Sequence, residues 1–244
     1  MDWIYLSPHF DDVALSCGGL IWEQVRAGEA VTVWTVCAGS PPPGRISPFA
    51  QALHARWQTG ESAAERRKQE DLVACQLLGT SSHYLNYPDC IYRRHPETGE
   101  FLYASEGALN GAVHPGDHEM LGSLQGALRH STLPGATLVS PLAIGNHVDH
   151  QLTRLALEGL GCPLWYYADY PYIEQHGSQL EQLSQAGWES RVFPVSPGGL
   201  LAWEDSIAAY ASQISTFWAD LDTMKRSIAN YWGWDHGIRL WRRV

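Results

Sequence analysis

Short apolar runs, each stopped by a proline or glycine, set the rhythm of this chain. Trp3 to Ser7 is the first such run, and Pro8 stops it, which predicts a strand. A loop from His9 to Val13 follows, then a helix from about Ser16 to Ala27 with Gly28 as its stop. Val31 to Cys37 is β-branched and continuously apolar, the pattern of a strand buried on both faces in a parallel sheet. The opening segment therefore reads as a β-α-β unit. Residues 39–48 read as loop. A helix is expected over about Ser62 to Leu78, closed by Gly79, with Ala63, Ala64, Val73, Ala74, Leu77 and Leu78 on its buried face. Strands are expected at His83 to Tyr87, Thr137 to Ser140 and Leu164 to Tyr167, with helices at about 117–130 and 149–160. Residues 90–116 read as an irregular excursion, a lid or rim. The last third is less regular, with a strand at 191–195 and helices at about 203–214 and 217–231. Strands alternating with helices predict one α/β domain over residues 1–244, a Rossmann-like, mostly parallel sheet flanked by helices.

Composition narrows the function. Hydrophobic residues make up 45% of the 244 and charged residues 17%, the balance of a globular chain. A net charge of −10 argues against nucleic acid as a partner, because phosphate binding needs a basic stripe. The clusters Arg66-Arg67-Lys68 and Arg239 to Arg243 are too short for one. No apolar run approaches the roughly 20 residues that span a bilayer. Met1-Asp2-Trp3 lacks the basic lead of a signal peptide, so a cytoplasmic protein is expected. Its 5 cysteines are an odd number, widely spaced, and contain no C-x-x-C pair. The 11 tryptophans and 11 tyrosines suit either a heavy aromatic core or a sugar-stacking surface. A homo-oligomer is compatible with all of this, and nothing in the sequence fixes the state of assembly.

Two segments carry chemistry: Ser7-Pro8-His9-Phe10-Asp11-Asp12 and Asn146-His147-Val148-Asp149-His150. Each sits just past the C-terminal end of an expected strand, the edge where open α/β sheets bind ligands. His and Asp are both zinc ligands, and a catalytic zinc takes three of them plus water. His9 and Asp12 are three apart, as are His147 and His150, so each pair can aim at one ion. With Asp11 and Asp149 beside them, the donors outnumber what one ion needs. The surplus is what a hydrolase requires for a general base and an oxyanion partner. An isolated H-x-x-H is more often surface than ligand. Two such segments at equivalent strand ends are a stronger signal, though spacing leaves open which residues hold the ion.

Pro8-His9-Phe10-Asp11-Asp12 resembles the P-H-P-D-D motif of the PIG-L/LmbE family of zinc-dependent N-acetylglucosaminyl deacetylases, and His147-Val148-Asp149-His150 resembles its H-x-D-H motif. Ser16-Cys17-Gly18-Gly19, the Arg67 to Glu70 helix ending at Leu78-Gly79, and Tyr84 to Asp89 extend the likeness over roughly residues 3–170. The resemblance implies zinc held by His9, Asp12 and His150, with iron(II) also accepted by such donors. It implies Asp11 as general base and His147 as the group facing the substrate carbonyl. Asp149 would orient His147 and keep it cationic, while Arg67 and Asp89 would contact the substrate. The implied substrate is a small N-acetylated glycoside. Phe10, Val13 and Gly145 depart from the family pattern, and all three bear on the shape of the substrate pocket. The rivals are a catalytically silent sugar-binding protein of the same fold, a dinucleotide-dependent oxidoreductase and a metal-dependent phosphohydrolase. Gly18-Gly19 is a weak hint of the second, since no G-x-G-x-x-G is present.

Overall fold

The computed structural model describes residues 2–131, 135–183 and 187–244. Seven strands form one sheet: β1 (Asp2–Ser7), β2 (Ala30–Thr35), β3 (Ser81–Tyr84), β4 (Thr137–Pro141), β5 (Leu164–Tyr167), β6 (Trp188–Pro194) and β7 (Gly237–Arg243). Their spatial order is β3-β2-β1-β4-β5-β7-β6. The first five run parallel, while β7 pairs antiparallel with β5 and β6 antiparallel with β7. The chain winds from β1 outward to β3, then returns to place β4 on the other side of β1. Right-handed crossovers then put the helices of the two halves on opposite faces. The gap between β1 and β4 is the switch point where such sheets bind ligands. Both motif loops leave from it: the one holding His9 to Asp12 follows β1, and the one holding His147 to His150 follows β4.

Several elements differ from the sequence expectations. The first helix begins at Asp12, not Ser16, so Asp12 lies in its first turn. Residues 39–48 lead into an unexpected helix, Pro48–Trp57, capped by Ser47, whose hydroxyl accepts the Ala50 N–H with Pro48 in the first turn. The helix Ala63–Leu78 buries Arg67, Glu70 and Asp71 beside Ala74 and Leu78, whereas Val73 and Leu77 are 49% and 46% exposed. Its buried face is mixed: Arg67 reaches Asp11 and Glu70 reaches Ser212, while Cys75 and Leu78 enter the apolar core, which is why an apolar-face rule misplaces it. In the last third the helices are Pro197–Ala208, Ala211–Phe217 and Leu221–Asp235. Arg239 to Arg243 is not a basic patch but most of β7, an interior strand with Ile238, Leu240 and Trp241 buried.

The tryptophan question resolves largely toward the core. Trp203, Trp218 and Trp241 are buried, and only Trp234 of the C-terminal set is well exposed. Trp203 explains Gly18 and Gly19. Its indole N–H donates to the carbonyls of Ala14 and Leu15, and a Cβ on Gly18 would stand 2.6 Å from Trp203 Cδ1. The glycine pair is a notch for a side chain, not a phosphate-binding turn. The excursion at 90–116 packs Cys90, Ile91, Tyr92 and Tyr103 with Leu53, Trp57 and Val148 into a second apolar cluster at the rim. Among the described residues no helix is long and apolar enough to cross a membrane.

Candidate active site

Backbone hydrogen bonds fix both loops. The Ser7 hydroxyl donates to the His9 carbonyl and accepts the Val13 N–H at 3.1 Å, folding the chain tightly between β1 and the first helix. The His9 N–H donates to Asp12 Oδ2 at 2.7 Å. On the other side, Gly145 at φ +83° and Asn146 at φ +60° turn the chain into the helix Val148–Glu158. A side chain at 145 would fall 2.8 Å from the Tyr172 ring, whose edge meets His150 at a centroid distance of 5.7 Å. The departure at Gly145 thus makes room for an aromatic supplied from elsewhere. His147 caps that helix, its Nδ1 accepting the Asp149 N–H at 3.3 Å. That bond leaves the His147 proton on Nε2.

Asp12 Oδ2 lies 3.2 Å from His9 Nδ1 and 3.3 Å from His150 Nε2. Donors around one tetrahedral zinc, at bond lengths of about 2.0–2.1 Å, stand roughly 3.3 Å apart, so the spacing fits. The far nitrogens are each backed by a carboxylate. His9 Nε2–H donates to Asp149 Oδ2 at 2.9 Å, and His150 Nδ1–H to Asp169 Oδ1 at 2.6 Å. This carboxylate–histidine pairing is the usual support of a metal-ligating imidazole. It leaves His150 Nε2 buried without a hydrogen-bond partner, turned toward Asp12 Oδ2. Ring nitrogens of His9, His147 and His150 also lie within 4.8 Å of one another, so all four residues converge. His147 alone has no carboxylate behind its ring.

The electrostatics agree with a cation here. Burial opposes charge on Asp12, but His150 and His9 hold its carboxyl well below the usual range. Burial also works against a charged His150, yet Asp12 and Asp169 raise it to about 10. The positive charge these carboxylates favour is what an ion would supply. Burial and the neighbouring His9 and His150 push His147 well below its ordinary value.

Asp149 meets the His147 ring through its backbone N–H. Its carboxylate is taken by Arg93 NH1 at 2.5 Å, by His9 Nε2 and by the Cys90 N–H at 3.0 Å, so that side chain backs His9. Arg67, expected on the substrate, is only 7% exposed and donates to Asp11 Oδ1 at 3.0 Å. Its guanidinium lies 5.0 Å from the Trp57 ring and 5.7 Å from the Phe10 ring. The Phe10 departure therefore helps seat the arginine that aims Asp11. Burial raises the Asp11 carboxyl, and Arg67 opposes that rise. Asp89 caps the turn Cys90–Tyr92, with Oδ2 at 3.7 Å from both Arg67 NH1 and His9 Nε2.

Sequence reasoning missed Arg93, Asp169 and the pair Asp71–Tyr210. Asp169 follows β5 at the same sheet edge as both motifs, and that position was its only signal. Asp71, which burial raises to about 6, receives the Tyr84 hydroxyl at 2.7 Å and lies 2.7 Å from that of Tyr210. The Tyr210 hydroxyl also reaches the Phe10 carbonyl at 3.0 Å, tying the C-terminal region to the loop after β1. Replacing Asp169 with asparagine removes the charge behind His150 and weakens zinc binding about 10- to 100-fold. Competition against a chromophoric chelator checks this, and an unchanged affinity would refute the role of Asp169.

Comparisons with known proteins identify the family. Residues 4–159 match the GlcNAc-PI de-N-acetylase (PIG-L) family. The chain is 34% identical to a 2'-N-acetylparomamine deacetylase of Niallia circulans over 202 residues, covering 76% of this chain and 71% of that one. It is 33% identical to a protein of the same description from Streptomyces fradiae, covering 70% of this chain and 58% of that one. Its structure is similar to the zinc-inhibited form of teicoplanin deacetylase Orf2, with a TM-score of 0.83, 26% identity, and coverage of 100% of this chain and 98% of that one. The chain belongs to the GlcNAc-PI de-N-acetylase (PIG-L) family of deacetylases.

Proposed function

We propose that this protein is a zinc-dependent hydrolase that removes the acetyl group from an N-acetylated amino sugar conjugate, releasing acetate and a free amine. The observation that carries this reading is Asp12 set between two carboxylate-backed histidines, with the buried Asp11 beside it. The named activities of the relatives support it. His9 Nδ1, Asp12 and His150 Nε2 are the groups that would hold the ion, and iron(II) suits the same donors. Bound there, the metal supplies a Lewis acid and lowers the pKa of a water toward about 7.

The residues of the chain do the rest. Arg67 occupies Oδ1 of Asp11, so Oδ2 is the oxygen that takes the proton of the attacking water. Neutral His147, with its proton on Nε2, donates to the oxygen of the tetrahedral intermediate. Asp11 then passes its proton to the departing amine. Base, donor and ligands thus come from the loops after only two strands, β1 and β4, with Asp169 after β5 behind His150. A cytoplasmic setting accompanies this reading, since the five cysteines are all unpaired.

The test is amine release from a panel of N-acetylated aminoglycosides and N-acetylglucosaminides, with metal analysis. Turnover is expected on at least one, lost with chelator and restored by zinc. Release that chelation leaves untouched, or no release from any N-acetyl sugar, would overturn the proposal.

A further inference from the structure

The ligand set His9, Asp12 and His150 does not exhaust the metal-binding side chains at this sheet edge. Donor atoms of Cys90, His147 and Asp149 all lie within 4.8 Å of one another, and all three residues are buried. We propose that these three form a second metal site, for a thiophilic divalent ion such as cadmium or excess zinc, and that filling it stops turnover. The inhibitory half rests on the roles given above to His147 and Asp149; the binding half does not.

The donor chemistry is specific. A thiolate, an imidazole and a carboxylate are the ligands of zinc and of its softer congeners rather than of magnesium or calcium. The set shares no residue with His9, Asp12 and His150, so filling it leaves the first ion its three ligands. The other cysteine cluster, Cys37 with His9 and Asp149, uses His9 and cannot fill while the first ion is held. Asp89 Oδ1 lies 3.5 Å from Cys90 Sγ, a further oxygen beside the site. Binding exchanges the Cys90 thiol proton, lost to solvent, for the metal–sulfur bond, and needs no oxidant. It also draws Asp149 Oδ2 from His9 Nε2 and occupies His147. The ion would thereby remove the support of one ligand and the donor to the oxyanion together.

The experiment uses the zinc-loaded protein carrying Cys162→Ala, because Cys162 is the exposed thiol. Cadmium is added alone and followed by its thiolate charge-transfer absorption, by bound-metal analysis and by turnover. One further equivalent is expected, with the absorption band and the loss of turnover rising together. Cys90→Ala, or the near-isosteric Cys90→Ser where alanine does not fold, is expected to bind one equivalent fewer, lack the band and keep its turnover in cadmium. Cys37→Ala is expected to keep the band. A band of full size in a folded Cys90 variant, or no second equivalent in the parent, overturns the site. A second equivalent with the band but with turnover intact overturns the inhibitory role and, with it, the functions given to His147 and Asp149.

Discussion

Asp11→Asn lowers kcat by about 10²- to 10⁴-fold, the range that a positioned general base contributes, while zinc content stays at the parent level. The asparagine keeps an oxygen for the Arg67 guanidinium, which now holds Asp11 Oδ1 at 3.0 Å. It keeps the volume of a side chain that is only 4% exposed. What it removes is the second oxygen as a proton acceptor. The loss therefore falls on turnover and not on the ligands. Steady-state kinetics with metal analysis on the same sample checks this. A variant that turns over at the parent rate would remove Asp11 from the mechanism, and one that also loses zinc would make it a ligand.

Arg93→Met destabilises the fold by about 3–5 kcal/mol, the cost of stranding a buried charge without its partner. Arg93 reaches Asp149 Oδ1 at 2.5 Å and Asp117 Oδ1 at 3.2 Å, and its guanidinium lies 5.2 Å from the Tyr103 ring. Tyr103 in turn donates to Asp117 at 2.6 Å. Burial works against the charge on Asp149, and Arg93 is the first of the groups that nevertheless hold its carboxyl well below the usual range. Removing Arg93 leaves two buried carboxylates facing each other across the space it filled. For a chain of this size the loss corresponds to a fall in Tm of roughly 10 °C. Arg93→Lys does not restore it, because one ammonium cannot serve two carboxylates on separate sides as a planar fork does. Denaturant unfolding of the metal-free proteins reads the difference directly. A midpoint unchanged from the parent would show that the pair is not stabilising.

The parts of the site legible in the sequence were those announced by a neighbour. His9, Asp11 and Asp12 stand together after a proline-stopped strand, and His147, Asp149 and His150 stand together after another. The structure brings both groups to the gap between β1 and β4. Arg93 and Asp169 are single charged residues without such company, and only the folded chain shows that one backs Asp149 and the other His150. Arg67 was visible, but its hold on Asp11 was not, since a sequence cannot show that Trp57 and Phe10 flank it. The misjudged face of the helix Ala63–Leu78 has the same origin. Pattern rules equate burial with apolarity, and a functional site is where that equation fails. β7 was hidden because the buried Leu240 and Trp241 stand side by side and Arg242 and Arg243 follow together, which breaks the alternation that announces a strand.

The Trp203 notch has a bearing on when the metal site comes into being. Trp203 reaches the carbonyls of Ala14 and Leu15 across 189 and 188 residues of chain, and Tyr210 reaches that of Phe10 across 200. Domains emerge from synthesis N-terminus first, and contacts this distant in sequence close last. The helix that begins with Asp12 is therefore made early but seated late. Until Trp203 enters beside Gly18, the first turns of that helix lack the indole that meets the Ala14 and Leu15 carbonyls. The protein is expected to take up its ion at the end of folding, as a finished scaffold choosing a metal, and not as a nascent chain folding around one.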